Sequence, residues 1–156
     1  MTGTAGKAQE VINDMKKDLA DVTDKVKNSK KVRVFYAIDT SNPALPWTAG
    51  PGSFIDSFIQ MSGGENIAAK APGAWVQLSI EAIVAGDPEV IIMATKHGNI
   101  PAQVSDLKNN PAWKNMTAVK GNNLRVLDAD LIDRSGPRIT QGLRQLAEAI
   151  HPEAFR

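Results

Sequence analysis

The chain has 156 residues, 42% of them apolar, with 18 basic and 17 acidic residues for a formal charge of +1, and no cysteine. That is enough for one domain with a real core, and it excludes a disulfide framework, a thiolate zinc site and a cysteine nucleophile. The balanced charge gives no basic footprint for nucleic acid, and no apolar run approaches the roughly 20 residues of a membrane-spanning helix.

Residues 7–28 are predicted to form one long helix, because Val11, Met15, Leu19, Val22 and Val26 recur at spacings of four and three with Lys and Asp between them. At about 1.5 Å per residue it runs roughly 30 Å, long for a domain of this size. Residues 31–38 are β-branched and aromatic, as suits a buried strand. The next stretch, 39–51, holds Pro43, Pro46, Pro51 and Gly50 and is predicted as an irregular loop. A helix over 53–62 follows, with Phe54, Ile55, Phe58, Ile59 and Met61 on or beside one face and Gly63-Gly64 as its stop. A loop is expected over 65–77. Residues 79–85 form a short helix with Ser79 as N-cap and Gly86 past its end. A buried strand over 89–94, a helix over 101–109 and a third strand over 124–128 come next. The last helix, 137–150, has Ile139, Leu143, Leu146, Ala147 and Ile150 as its buried stripe, and His151-Pro152 ends it. Strands alternating with helices predict an α/β fold, a three-layer sandwich around a mainly parallel sheet, preceded by the long helix.

In open α/β sheets ligands gather beyond the C-terminal ends of the strands. The loops that leave the three predicted strands carry Trp47, His97, Asp130, Asp133 and Arg134, and Trp75 lies in a Gly- and Pro-rich segment between two helices. A loop tryptophan presents a large flat apolar face of the kind enriched at binding sites; the alternative is that each one plugs an end of the core. Trp113, beside a helix end, is expected to pack. Enzyme signals are weak. His97 and His151 form no metal pair, there is no G-x-S-x-G elbow or phosphate loop, and Asp128, Asp130 and Asp133 lack the central Gly and closing Glu of a calcium loop. A small α/β hydrolase or transferase using Ser79 or the 128–133 loop stays open as an alternative, as does an interaction domain with no small ligand.

One combination of motifs is more specific. Gly50-Pro51-Gly52 opens the helix that ends in Gly63-Gly64-Glu65-Asn66; Trp75-x-Gln77-x-Ser79-x-Glu81 and Asp87-Pro88-Glu89-Val90-Ile91-Ile92 follow; Pro111-Ala112-Trp113, Arg134-Ser135-Gly136-Pro137-Arg138 and His151-Pro152-Glu153-Ala154-Phe155 complete the series. Together these resemble, over almost the whole chain, the C-terminal lobe and connecting helix of the helical-backbone, cluster A-II substrate-binding proteins. Those proteins deliver vitamin B12, haem and ferric siderophores to ABC importers. The resemblance implies a connecting backbone helix over 1–30 and a C-terminal α/β lobe over 31–156. The N-terminal lobe and the export signal would lie outside this sequence, and the location would be extracytoplasmic, either periplasmic or lipid-anchored.

It also implies that Trp47 and Trp75 touch ligand, Trp75 where vitamin B12 binders set a tryptophan against the corrin. Asp130 and Arg134 would add polar contacts, and Glu81 would offer a carboxylate to arginines of the membrane permease. His97 is the one loop candidate for an axial haem ligand, the only tyrosine, Tyr36, being placed in a strand. No catalysis and no resident cofactor are implied; the transported ligand would be cobalamin, a ferric siderophore or haem. Two tryptophans with one Asp and one Arg suit a corrinoid or a less charged hydroxamate chelate, the corrinoid leading, whereas tricatecholate siderophores favour Arg clusters.

Overall fold

The computed structural model describes residues 2–40, 42, 44–94, 100–127 and 139–155. Helix α1, Thr2–Val26, leads into β1, Val32–Ala37. The helix ends two residues earlier than its pattern suggested, because Val26 is its last buried anchor and the chain turns there through a Ser29 N–H to Val26 carbonyl bond. Then follow β2, Trp47–Ala49; α2, Phe54–Met61; β3, Gly64–Asn66; β4, Trp75–Gln77; α3, Ile80–Gly86; β5, Val90–Ala94; α4, Ile100–Asn109; α5, Thr117–Lys120; and β6, Leu124–Leu127. Helix α6, Ile139–Ile150, and a 3₁₀ turn, Pro152–Phe155, close the described chain.

Four strands make one sheet in the order β3-β1-β5-β6, every pair parallel, with Val34 opposite Asn66 and Val90, and Ile91 opposite Leu124. A parallel sheet is covered on both faces, and the alternation of each strand sorts its side chains accordingly. Val34, Tyr36, Val90 and Ile92 pack under Ile55 and Ile59 of α2 and Leu146 and Ile150 of α6. Phe35, Ala37, Ile91 and Met93 pack under Ile83, Leu107, Trp113, Met116 and Ala118 on the other side. Trp113 is fully buried against Phe35, with ring centroids 5.8 Å apart, so the expectation that it packs holds.

The fold is therefore the predicted three-layer α/β arrangement, with α1 laid on α6 through Val22, Val26, Leu143 and Ala147. Asp21 pairs with Arg144, and Lys25 and Arg144 both stand over the Phe155 ring. This seam uses only the C-terminal half of α1. Val11 and Ile12 are exposed.

Two expectations need correction. The stretches predicted as loops, 39–51 and 65–77, hold β2, β4 and all of β3 but Gly64: β3 adds a parallel edge to the sheet, and β2 pairs antiparallel with β4 in a separate ribbon. Strands of three residues are too short for a period-two pattern to register. Neither α5 nor the 3₁₀ turn follows from periodicity for the same reason.

Candidate functional site

The ribbon grows out of the C-terminal end of β1. The Ile38 N–H donates to the Trp47 carbonyl at 3.0 Å and the Trp47 N–H to the Asp39 carbonyl at 3.0 Å, which folds the chain back on itself just beyond the sheet. Trp47 then pairs with Gln77, Thr48 with Val76 and Ala49 with Trp75. The ladder runs on to α3 through Leu78 N–H to the Pro46 carbonyl and Ile80 N–H to the Ala44 carbonyl, both 3.0 Å.

Opposed residues share a face and alternate residues return to it, so Trp47, Trp75 and Gln77 lie on one side of the ribbon while Thr48 faces the other. The two tryptophans are diagonal neighbours, 41% and 51% exposed, and Thr48 is sealed in the interior. The predicted exposure of both indoles is what the structure has, and neither plugs the core. Phe54, counted in the sequence with the buried stripe of α2, points elsewhere: Ile55 and Ile59 carry that stripe, and Phe54 is 38% exposed beside Trp75 with ring centroids 6.2 Å apart. Leu45 is exposed too. Trp47, Trp75 and Phe54 thus form an exposed aromatic surface of neutral side chains.

Buried polar groups hold this surface in place. The Asn66 amide donates to the Ala49 carbonyl at 2.8 Å and to Asp56 at 3.0 Å, while its oxygen accepts the Ala68 N–H at 3.0 Å. Gln60 donates to the second Asp56 oxygen at 3.0 Å. One asparagine thus ties the ribbon, α2 and the edge strand together. Gly50 brings the chain out of β2 with its N–H on the Ala74 carbonyl at 2.8 Å, and a Cβ there would stand 2.1 Å from the Gly73 carbonyl oxygen. The approach needs glycine. Ser53 accepts the Asp56 N–H and donates to the Gly50 carbonyl, so the same turn caps α2. In the sequence Asn66 stood only as the end of the Gly-Gly-x-Asn motif, and its partners were not visible there.

Glu81 is exposed in the first turn of α3, one position before Ala82, whose N–H Ser79 accepts at 3.2 Å. It cannot close a capping box, which requires the position that Ala82 holds. His97, Asp130 and Arg134, with Asp128 and Asp133, lie outside the described residues. Among the described residues no group of three His, Asp or Glu is placed to hold a metal ion.

The opposite end of the sheet is structural. Glu89 accepts the Arg33 N–H at 2.9 Å, and the Arg33 side chain donates to the Asp87 carbonyl at 2.9 Å. The Asp87 carboxylate accepts the Thr117 hydroxyl at 2.6 Å and the Thr117 N–H at 2.9 Å. Those two donors hold its pKa below the ordinary 3.8, with Arg33 and Lys120 adding to the effect. The Asp-Pro-Glu motif therefore clamps β1, β5 and α5, away from the aromatic face.

The periplasmic binding protein family matches residues 1–131. The chain belongs to that family. A substrate-binding lipoprotein of an ABC transporter in Bacillus subtilis is 34% identical over all of this chain and 49% of its own length. A cobalamin-binding protein of Halobacterium salinarum is 30% identical over 97% of this chain and 41% of its own. The crystal structure of a periplasmic binding protein from Veillonella parvula superposes with a TM-score of 0.83 over 96% of this chain and 52% of that one, at 29% identity. This periplasmic binding protein chain spans about half the length of the curated relatives it matches. No helix among the described residues is long and apolar enough to cross a membrane.

Proposed function

We propose that the chain is one lobe, with its connecting helix, of an extracytoplasmic receptor that hands a metal chelate to an ABC importer, and that the chelate is a corrinoid. The observation that carries this reading is the pair of exposed tryptophans on one face of the ribbon, at the end of a parallel sheet where ligands collect. The cobalamin-binding relative supports the choice of ligand, and the half-length match supports a second lobe facing this one. Exposed Val11 and Ile12 on the unsupported half of α1 agree with a helix that reaches another lobe.

The mechanism is binding without chemistry. A bulky ligand is sandwiched between two lobes, the indoles exclude water from its apolar face, and a few polar groups fix its orientation. Asp130 and Arg134 would supply such groups, and His97 would matter only for haem. Glu81, outside the aromatic face and free of a capping role, would meet an arginine of the permease. A neutral aromatic wall suits a corrin or an uncharged hydroxamate chelate, whereas a tricatecholate siderophore would need clustered cations. A ferric hydroxamate is the second reading on that ground.

Calorimetry on the two-lobed receptor tests the proposal. Cyanocobalamin is expected to bind, and Trp47→Ala or Trp75→Ala each to weaken it by about 1–3 kcal/mol, as for buried aromatic anchors. Binding of haemin or a ferric hydroxamate in its place would reassign the ligand. Full affinity in both variants would remove the aromatic face from the site.

A further inference from the structure

We propose that Phe54 is a positioning residue for Trp75, so that the ligand wall is an aromatic pair spanning the ribbon and α2 rather than a lone indole. The inference rests on the reading of the aromatic face given above. Three rings form a line from the interior to the surface. Phe58 packs against the sheet-side core and against the cluster between α1 and α6. One turn earlier, Phe54 meets Phe58 edge to face, with centroids 6.0 Å apart and planes at 85°. Phe54 in turn meets Trp75 at 6.2 Å and 67°. Edge-to-face rings at these separations attract through their quadrupoles and fix mutual orientation as well as distance.

Trp75 needs such a neighbour. It lies in a three-residue strand of a two-stranded ribbon, a unit that is marginal by itself, and half of its surface faces solvent. An indole free to change rotamer must be ordered when ligand arrives, at a cost in affinity. Phe54 is placed to remove that cost in advance. It is the first residue of α2, directly after the Ser53 cap, and the Ser53 hydroxyl is bonded to Gly50. Helix and ribbon are thereby locked in register where the two rings meet. Phe54 is too exposed for its main role to be core packing.

The test uses Trp47→Phe as background, which leaves Trp75 as the exposed indole and Trp113 as a buried one. Time-resolved fluorescence anisotropy then reads the local motion of Trp75. Phe54→Ala and Phe54→Leu are expected to enlarge the fast component, Phe54→Tyr to restore it, and the unfolding midpoint to stay near the parent's in all three. Unchanged Trp75 motion in Phe54→Ala overturns the proposal. With cyanocobalamin as probe and Trp47 restored, Phe54→Ala is expected to weaken binding by roughly three- to tenfold, the scale of one indole's ordering. Parent-like binding in Phe54→Ala, where Trp75→Ala binds weakly, also overturns it. If Trp75→Ala itself leaves binding unchanged, the ligand-wall reading fails instead, and the anisotropy alone decides whether Phe54 positions the indole.

Discussion

Gly63 shows how one atom constrains this fold. Its φ is +79°, and a Cβ would stand 2.8 Å from His151 Nε2 and 3.2 Å from Val26 Cβ. Buried His151 donates from that nitrogen to the Gly63 carbonyl at 2.9 Å, so the glycine terminates α2 and receives the end of α6 at one point. Gly63→Ala is predicted to destabilise the protein by about 1–3 kcal/mol, through left-handed strain and displacement of the imidazole, as chemical denaturation can measure. Asp87 makes a different prediction. Its folded-state pKa is depressed, so its contribution to stability is complete above the unfolded value near 3.8 and is lost as pH falls through the folded value. Asp87→Asn keeps a residue that accepts the left-handed φ of 40° there. Urea unfolding should show the parent losing stability more steeply than this variant as the pH drops below 3.8. Parallel acid dependence would remove Asp87 as a cause.

Among the elements, the ribbon is the one on which the site depends. Its two strands make only three residue pairs, and the Asn66 amide is its buried link to α2. Asn66→Ala is predicted to cost about 2–3 kcal/mol, since it strands the Ala49 carbonyl and one Asp56 oxygen in the interior. Hydrogen exchange should quicken at Gly50, whose N–H bonds across the ribbon. Protection left intact would show that the ladder holds without the asparagine. Much of this region could be read from sequence and much could not. The long helices and β1 and β5 announced themselves through periodicity and through runs such as Val90-Ile91-Ile92. The ribbon did not: Trp47-Thr48-Ala49 and Trp75-Val76-Gln77 become strands only because they find each other 28 residues apart, and no local pattern encodes that pairing. Trp47 and Trp75 were legible as candidates because a tryptophan among glycines and prolines has no periodic reason to be there. Phe54 was not, because a phenylalanine at a helix start looks like core whichever way it turns. Asp56 and Asn66 looked like ordinary helix and loop polarity until their partners were known.

At the scale of the whole molecule, the sheet separates two tasks. Its N-terminal edge is clamped by Arg33, Asp87, Glu89 and Thr117, and its C-terminal edge carries the neutral aromatic face. Helix α1 is pinned at residues 18–26 by α6 and Phe155, while its first half has exposed Val11 and Ile12. Affinity is the surplus over the costs of association, so a single wall should bind far more weakly than a closed pair of lobes. The most direct measurement is a proton–nitrogen spectrum of the three indole N–H groups during titration with cyanocobalamin, which registers weak binding. The Trp47 and Trp75 signals are expected to move together on a common saturation curve while buried Trp113 stays fixed. Indole signals at Trp47 and Trp75 that remain unmoved at saturating cobalamin, or that move only together with Trp113, would contradict it.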